Sequence, residues 1–241
     1  MKTVRNKQRL YLISIIFVFI LMLISSIIIM LSENELSVSL MYVALILLLS
    51  TILLFFLKKQ LDHYTFKYQH LSLFSTLESA VKFETPILSE DFLKKIISRG
   101  YIHFQSNAHL SLYYKFDYIP YKHKRNKTAV LILLIHNEKY TFSSKEIINL
   151  INRFEDIHQP KEQFFHHVIM QFKQTNSSLT KEKIEETHNI SYQNIGKRNF
   201  LILINAYYSL ESHTLSFVHS KTYSPNAYYQ YGVTEILTLT K

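Results

Sequence analysis

The chain opens with two long apolar runs and only then settles into the alternating pattern of a folded domain. Leu10–Leu31 (LYLISIIFVFILMLISSIIIML) runs for 22 residues without a charge, and Val38–Leu57 (VSLMYVALILLLSTILLFFL) for 20. At 1.5 Å per residue these make helices of roughly 33 and 30 Å, enough for a hydrocarbon core about 30 Å thick. Inside lipid a backbone must bond to itself, so helix is the expected state of both. The first run exceeds the ~7–15 residues of a signal-peptide apolar region, and no Ala-x-Ala-like cleavage site follows it. The pattern therefore predicts transmembrane helices at 10–31 and 38–57, joined by a short external loop at 32–37.

Charge fixes the expected orientation. Lys2, Arg5, Lys7 and Arg9 lie in a basic tail (1–9) before the first span, and Lys58 and Lys59 follow the second at once. The loop between them, SENELS, holds Glu33 and Glu35 and no base. The positive-inside rule then puts both termini in the cytoplasm, as a two-span protein of the cell membrane with the bilayer as its first partner.

Beyond the second span, Leu61, Tyr64, Tyr68, Leu71, Phe74, Leu77 and Val81 recur at steps of 3 and 4. That spacing predicts an amphipathic helix within a juxtamembrane segment at 58–88, ended by Pro86. Its apolar stripe has three uses open to it. It can dock on the following domain, pair with a second copy through 61–81, or lie on the membrane surface.

Residues 89–241 read as one α+β cytoplasmic domain with a mixed sheet. Ser89 caps a helix that Arg99 and Gly100 close, with Phe92, Leu93, Ile96 and Ile97 on one face. Strands follow at Tyr101–Gln105, Leu110–Asp117 and Thr128–His136, the last almost wholly apolar and so central. A helix from Ser143 or Ser144 carries Ile147, Ile148, Leu150, Ile151 and Phe154 inward and breaks at Pro160. Phe164–Phe172 reads as strand, Thr180–Thr187 as a short charged helix, and Asn199–Tyr208, Thr214–Val218 and Ile236–Thr240 as strands.

Composition narrows the chemistry. With no Cys there is no disulfide, zinc-thiolate or iron–sulfur site and no thiol nucleophile. The three glycines, Gly100, Gly196 and Gly232, are far apart, so no phosphate-cradling Gly-rich loop exists. Scarce Gly, Ala and Trp beside abundant Ile, Lys, Asn, Tyr and Phe are the mark of an AT-rich genome, which also tempers the net charge of +9.

The most basic stretch is Lys122-His123-Lys124-Arg125-Asn126-Lys127. Read as a loop between the second and third strands of the domain, its four cations could contact the phosphate of an anionic lipid. The basic excess carries no nucleic-acid signature. The adjacent His166 and His167 would face opposite sides of a strand, so they do not chelate one ion together. No His pair has metalloprotease spacing, and no metal or cofactor is expected. Ser79-Ala80-Val81-Lys82 and Ser178-Leu179-Thr180-Lys181 match a serine–lysine spacing, but without the companion motifs of penicillin-recognising enzymes.

The order helix, three strands, helix, strand resembles the common core of restriction-endonuclease-like nucleases. Those enzymes place an acid and an acid-x-Lys on neighbouring strands to hold a divalent ion. Here Asp117 ends the second strand. His136-Asn137-Glu138-Lys139 has a different spacing, and Gln171-Phe172-Lys173 lies beyond the next helix. The resemblance is one of element order and brings no site with it.

The expectation is thus a membrane-anchored interaction or accessory module with no identifiable catalytic residues. Its expected partner is a protein at the cytoplasmic membrane face. The alternatives are a membrane-tethered nuclease- or phosphoesterase-like hydrolase, and a lipid sensor acting through Lys122, Lys124, Arg125 and Lys127. A reporter fused after Lys241 should be active only inside the cell; activity only outside would invert the topology.

Overall fold

The computed structural model describes every residue except 33, 34, 122, 123 and 196–198, and the side chains of all but these and 121, 193–195 and 199. The chain divides into two compact units, Met1–Ser75 and Thr76–Lys241.

The first unit is a helical hairpin of α1 (Lys2–Met30) and α2 (Leu36–Phe74). Both helices are long and apolar enough to cross a membrane. No residue of α1 is buried, and Leu10, Ile13, Phe17, Ile28, Phe55 and Phe56 are each at least 58% exposed. A helix apolar on nearly all sides calls for cover, from a protein core or a bilayer. The Ser26 and Thr51 hydroxyls donate to the carbonyls of Met22 (2.8 Å) and Leu47 (2.7 Å) of their own helices. Both hydroxyls are thus satisfied within their own helices. Near the open end, Gln8 Nε2 donates to Thr65 Oγ1 at 3.0 Å, and Tyr11 stacks on Tyr64 at 5.4 Å.

The amphipathic run does continue from the second apolar stretch, but it ends sooner than its periodicity suggests. Helix α2 stops at Phe74. Val81–Lys82 is β1, paired with a later strand, so its stripe position belongs to a sheet edge.

After β1 the second unit runs α3 (Glu90–Ser98), β2 (Ile102–Ser106), β3 (Leu110–Tyr121), β4 (Lys124–Ile135), α4 (Lys145–Glu162) and β5 (His166–Thr175). It continues with α5 (Lys181–Thr187), β6 (Ser191–Ile195), β7 (Asn199–Ser209), β8 (Thr214–Phe217) and α6 (Ala227–Leu239). The sheet order is β1-β8-β7-β5-β4-β3-β2, with β6 also on β7. Strands β2, β3 and β4 form an antiparallel meander, while β4, β5 and β7 are parallel. The sheet is mixed, as expected.

Two layers of helix cover it. On one face α4 closes a core of Leu110, Leu112, Leu131, Leu133, Ile147, Leu150, Phe154 and Phe164. On the other lie α3 and α6, where Phe92 meets Phe172 edge-on at 5.8 Å. Ser89 caps α3 by accepting from Phe92 N–H.

Four expectations need correction. Ile148 does not face inward: it is 48% exposed, while Ile147, Leu150 and Phe154 are the buried residues of α4. Ile236–Thr240 is not a strand but the end of α6, whose inward residues Tyr228, Tyr229, Ile236 and Leu239 are at most 1% exposed. Its start is marked by Asn226, whose side chain accepts from Tyr229 N–H at 2.9 Å. Pro160 does not end α4, which runs to Glu162, because a proline in the last turn removes a single bond. The basic stretch is not a loop along its length. Tyr121 pairs with Lys124 and Pro120 with Arg125, so Lys124, Arg125 and Lys127 are strand residues.

Gly232 sets the distance of α6 from the sheet. A Cβ there would lie 2.8 Å from Ile204 Cδ1 and 2.9 Å from Val168 Cγ1. Gly232→Val should therefore destabilise the domain by about 2 kcal/mol through overpacking. Denaturant unfolding of the full chain in detergent, followed by near-UV tyrosine dichroism, would measure it.

Candidate functional site

Parallel strands covered on both faces normally carry apolar side chains throughout. Strand β4 obeys, with Thr128–Ile135 wholly buried and Thr128 its one polar member. Its neighbours do not. Gln171, Lys173 and Thr175 on β5 are at most 2% exposed, and Asn205 and Ser209 on β7 are fully buried. The register pairs Gln171 with Asn205, Lys173 with Tyr207 and Thr175 with Ser209. Alternation places all six on one face, as a polar stripe running to the C-terminal ends of the parallel strands. In open α/β sheets that end is where ligands bind.

Helix α5 packs over the stripe mainly through polar groups. Asn205 Nδ2 donates to the carbonyls of Asn189 (2.8 Å) and Glu186 (3.4 Å), satisfying carbonyls at the C-terminal end of α5. Lys173 Nζ donates to Glu186 Oε2 at 3.2 Å and lies 4.8 Å from the Tyr207 ring centre and 5.0 Å from that of Phe142. Lys183 Nζ donates to Thr175 Oγ1 and lies 3.8 Å from Glu138 Oε1. Gln171 Oε1 and Asn205 Oδ1 are buried without a hydrogen-bond partner among the described residues. Burial lowers the Lys173 pKa from its ordinary 10.5, opposed by Glu186 and Glu138 and reinforced by Lys183. Burial, with Glu186 and Glu138 beside it, raises that of Tyr207.

Beside α5, Leu77, Ala80, Leu179, Ile184, Phe217 and Val218 line a cleft of about 410 Å³, with Ser212, Thr214 and Ser216 supplying hydroxyls.

The other sequence-marked residues fall elsewhere. Asp117 sits towards the opposite end of the sheet on the α6 face, where its carboxylate accepts from Tyr231 OH at 2.6 Å. Lys115 beside it pairs with Glu235 at 2.7 Å, and Tyr101 OH donates to the same carboxylate at 2.9 Å. His136 Nε2 lies 2.7 Å from Ser111 Oγ. So Glu138 and Lys173 share a neighbourhood, but Asp117 and His136 do not join them. Among the described residues no three His, Asp or Glu are placed to hold a metal ion.

Lys124 and Arg125 are exposed, whereas Lys127 bonds Glu162 and rests 5.2 Å from the Phe116 ring centre. Lys122 lies outside the described residues. His166 and His167 face opposite sides of the sheet, one against Tyr228 and the other 3.0 Å from Glu155.

The stripe was not picked out from sequence as a site, although its signal is there. In VIMQFKQT every second residue from Gln171 is polar.

A pH dependence follows. With its folded pKa below 10.5, Lys173 binds fewer protons folded than unfolded. Stability therefore rises with pH from that lowered value towards 10.5. Lys173→Met should be at least as stable at neutral pH, since Glu186 is 39% exposed and stays hydrated. It should also lose the rise in stability that the wild-type chain shows as pH climbs towards 10.5. Parallel unfolding profiles of the two proteins would refute this. Compared with protein-family models, curated proteins and solved structures, the chain has no match.

Proposed function

We propose that the chain is a membrane-anchored binding module. In this reading α1 and α2 span the cell membrane with both termini cytoplasmic, and the α+β domain engages a protein partner at the inner membrane face. The observation that carries it is the hairpin, apolar and exposed on its outward faces, with its cations gathered at one end. Confining a domain to the membrane surface raises its effective concentration for partners held there.

The rival reading, a tethered hydrolase of phosphoesters, draws on Lys173, Lys183, Glu138 and Glu186 at the ends of the parallel strands. Binding is preferred because Lys173 is 1% exposed and each lysine is already matched to a carboxylate. The cleft beside α5, by contrast, is lined half by apolar and half by polar residues, Glu78 and His188 among the latter, and Ile184 on its wall is 36% exposed.

A photo-crosslinking residue at Ile184 of the full chain in its own membranes should give one discrete adduct. The same residue at Lys94, on the exposed side of α3, should give none. Absence of adducts at both positions, or equal smears at both, would sink the reading.

A further inference from the structure

We propose that the open end of the hairpin is a binding site for anionic phospholipid, formed by one face of α1. The inference rests on the hairpin spanning the bilayer. Helix α1 starts at Lys2, so the basic residues belong to the helix and are not a loose tail. At 3.6 residues per turn, Lys2, Arg5, Arg9, Ile13, Ile16 and Ile20 fall within an arc of about 80°. All six are exposed, and the isoleucines are 65%, 51% and 48% exposed in chain order. Three cations followed by three isoleucines along one line match a phosphate headgroup followed by its acyl chain. Only an amphiphile answers both halves at once; a nucleic acid or an acidic peptide would leave the isoleucines uncovered.

The height of the row agrees. From Leu31 back to Arg9 and from Leu36 on to Lys58 is the same number of residues, roughly 33 Å of helix in each case. Both helices thus place their first cation at one level, just outside a hydrocarbon core of about 30 Å. From Arg9 to Lys2 the helix rises roughly another 10 Å, through the headgroup layer.

The row is also held in place. Lys7, on the opposite side of α1, points to α2, with Nζ 3.4 Å from Tyr64 OH. Gln8 bonds Thr65, and Tyr11 stacks on Tyr64. These bonds fix the rotation of α1, so that Lys2, Arg5 and Arg9 face away from α2. None of the three has an acidic partner among the described residues, unlike Lys58, which lies 3.9 Å from Asp62. With the helix formed and its rotation fixed, only side-chain freedom is left to lose when a phosphate arrives.

The test uses the full chain, purified in detergent and reconstituted into discs of phosphatidylcholine with spin-labelled phosphatidylglycerol or spin-labelled phosphatidylcholine as probe. Insertion from detergent removes topology as a variable. The native chain should retain the phosphatidylglycerol probe in preference, with a loss of about fivefold for each cation neutralised. Lys2→Gln/Arg5→Gln/Arg9→Gln should erase the preference, while Arg5→Lys/Arg9→Lys and Lys124→Glu/Arg125→Glu should keep it. Equal retention of both probes by the native chain, or an undiminished preference in the triple Gln variant, overturns the proposal. So does loss of the preference in Lys124→Glu/Arg125→Glu, which would move the contact to the domain. A chain that stays outside the discs overturns the spanning reading itself, and is told apart by its failure to co-purify with lipid.

Discussion

Three parallel strands, β4, β5 and β7, must be covered on both faces, and the rest of the domain is arranged around that demand. Parallel neighbours cannot be joined by a tight turn, so each pair needs a crossover. Helix α4 supplies the first and the α5–β6 segment the second. Each crossover lays its helix on the same face. The opposite face has to be covered from elsewhere in the domain, and α3 and α6, from before and after the run of strands β2 to β8, do so. Gly232 lets α6 come close enough to exclude water there.

Against that demand the polar stripe is costly. A buried lysine is stable only with a counter-charge and company for its stem. Glu186 gives the first, and the Phe142 and Tyr207 rings the second. Helix α5 is short, and its one large apolar residue, Ile184, faces the cleft and is partly exposed. It is therefore held to the sheet by Asn205 and by the lysine–glutamate pairs more than by apolar burial. Helices of that kind sit low on the scale of local stability, because polar pairs exchange easily with water. The cleft beside α5 inherits that property, since one wall of it can shift without opening the main core.

How much of this could be read from the sequence depended on which physical signal was local. The apolar runs of the hairpin and the strand TAVLILLIH declare themselves within a single window, because a run apolar at nearly every position needs no partner to be recognised. The meander and the order helix, three strands, helix, strand were legible for the same reason. Helix α6 was not. Its residues Tyr228, Tyr229, Val233 and Ile236 are aromatic or β-branched types common in strands, and tertiary burial overrode that preference. β1 escaped because a two-residue strand exists only through its partner β8. The stripe was visible as alternation but not as a site, since only the register of β5 on β7 brings Gln171 to Asn205 and Lys173 to Tyr207. The distribution of cations carried part of the truth. Lys127 sits in a basic run, yet Glu162 claims it from 35 residues away.

The abundance of tyrosine, set against scarce alanine and glycine, acquires a structural reason once the bonds are traced. A core built largely from aromatic rings has large pieces to fit, and tyrosine adds a hydroxyl that must find a partner. In this domain the hydroxyls tie elements together that no backbone ladder joins. Tyr228 accepts from Asn126 at 2.9 Å, Tyr229 donates to the Val218 carbonyl at 2.7 Å, and Tyr231 donates to Asp117 at 2.6 Å. Three nearby residues of one helix thereby fix α6 to β4, to the segment after β8 and to β3. Because those bonds have directions, they determine the rotation of α6 as well as its position, which apolar packing alone specifies weakly. A compositional drift towards tyrosine is thus absorbed as orientation. Substituting phenylalanine along α6 would keep the volume but remove these partners from the half-buried Asn126 and from the buried Val218 carbonyl.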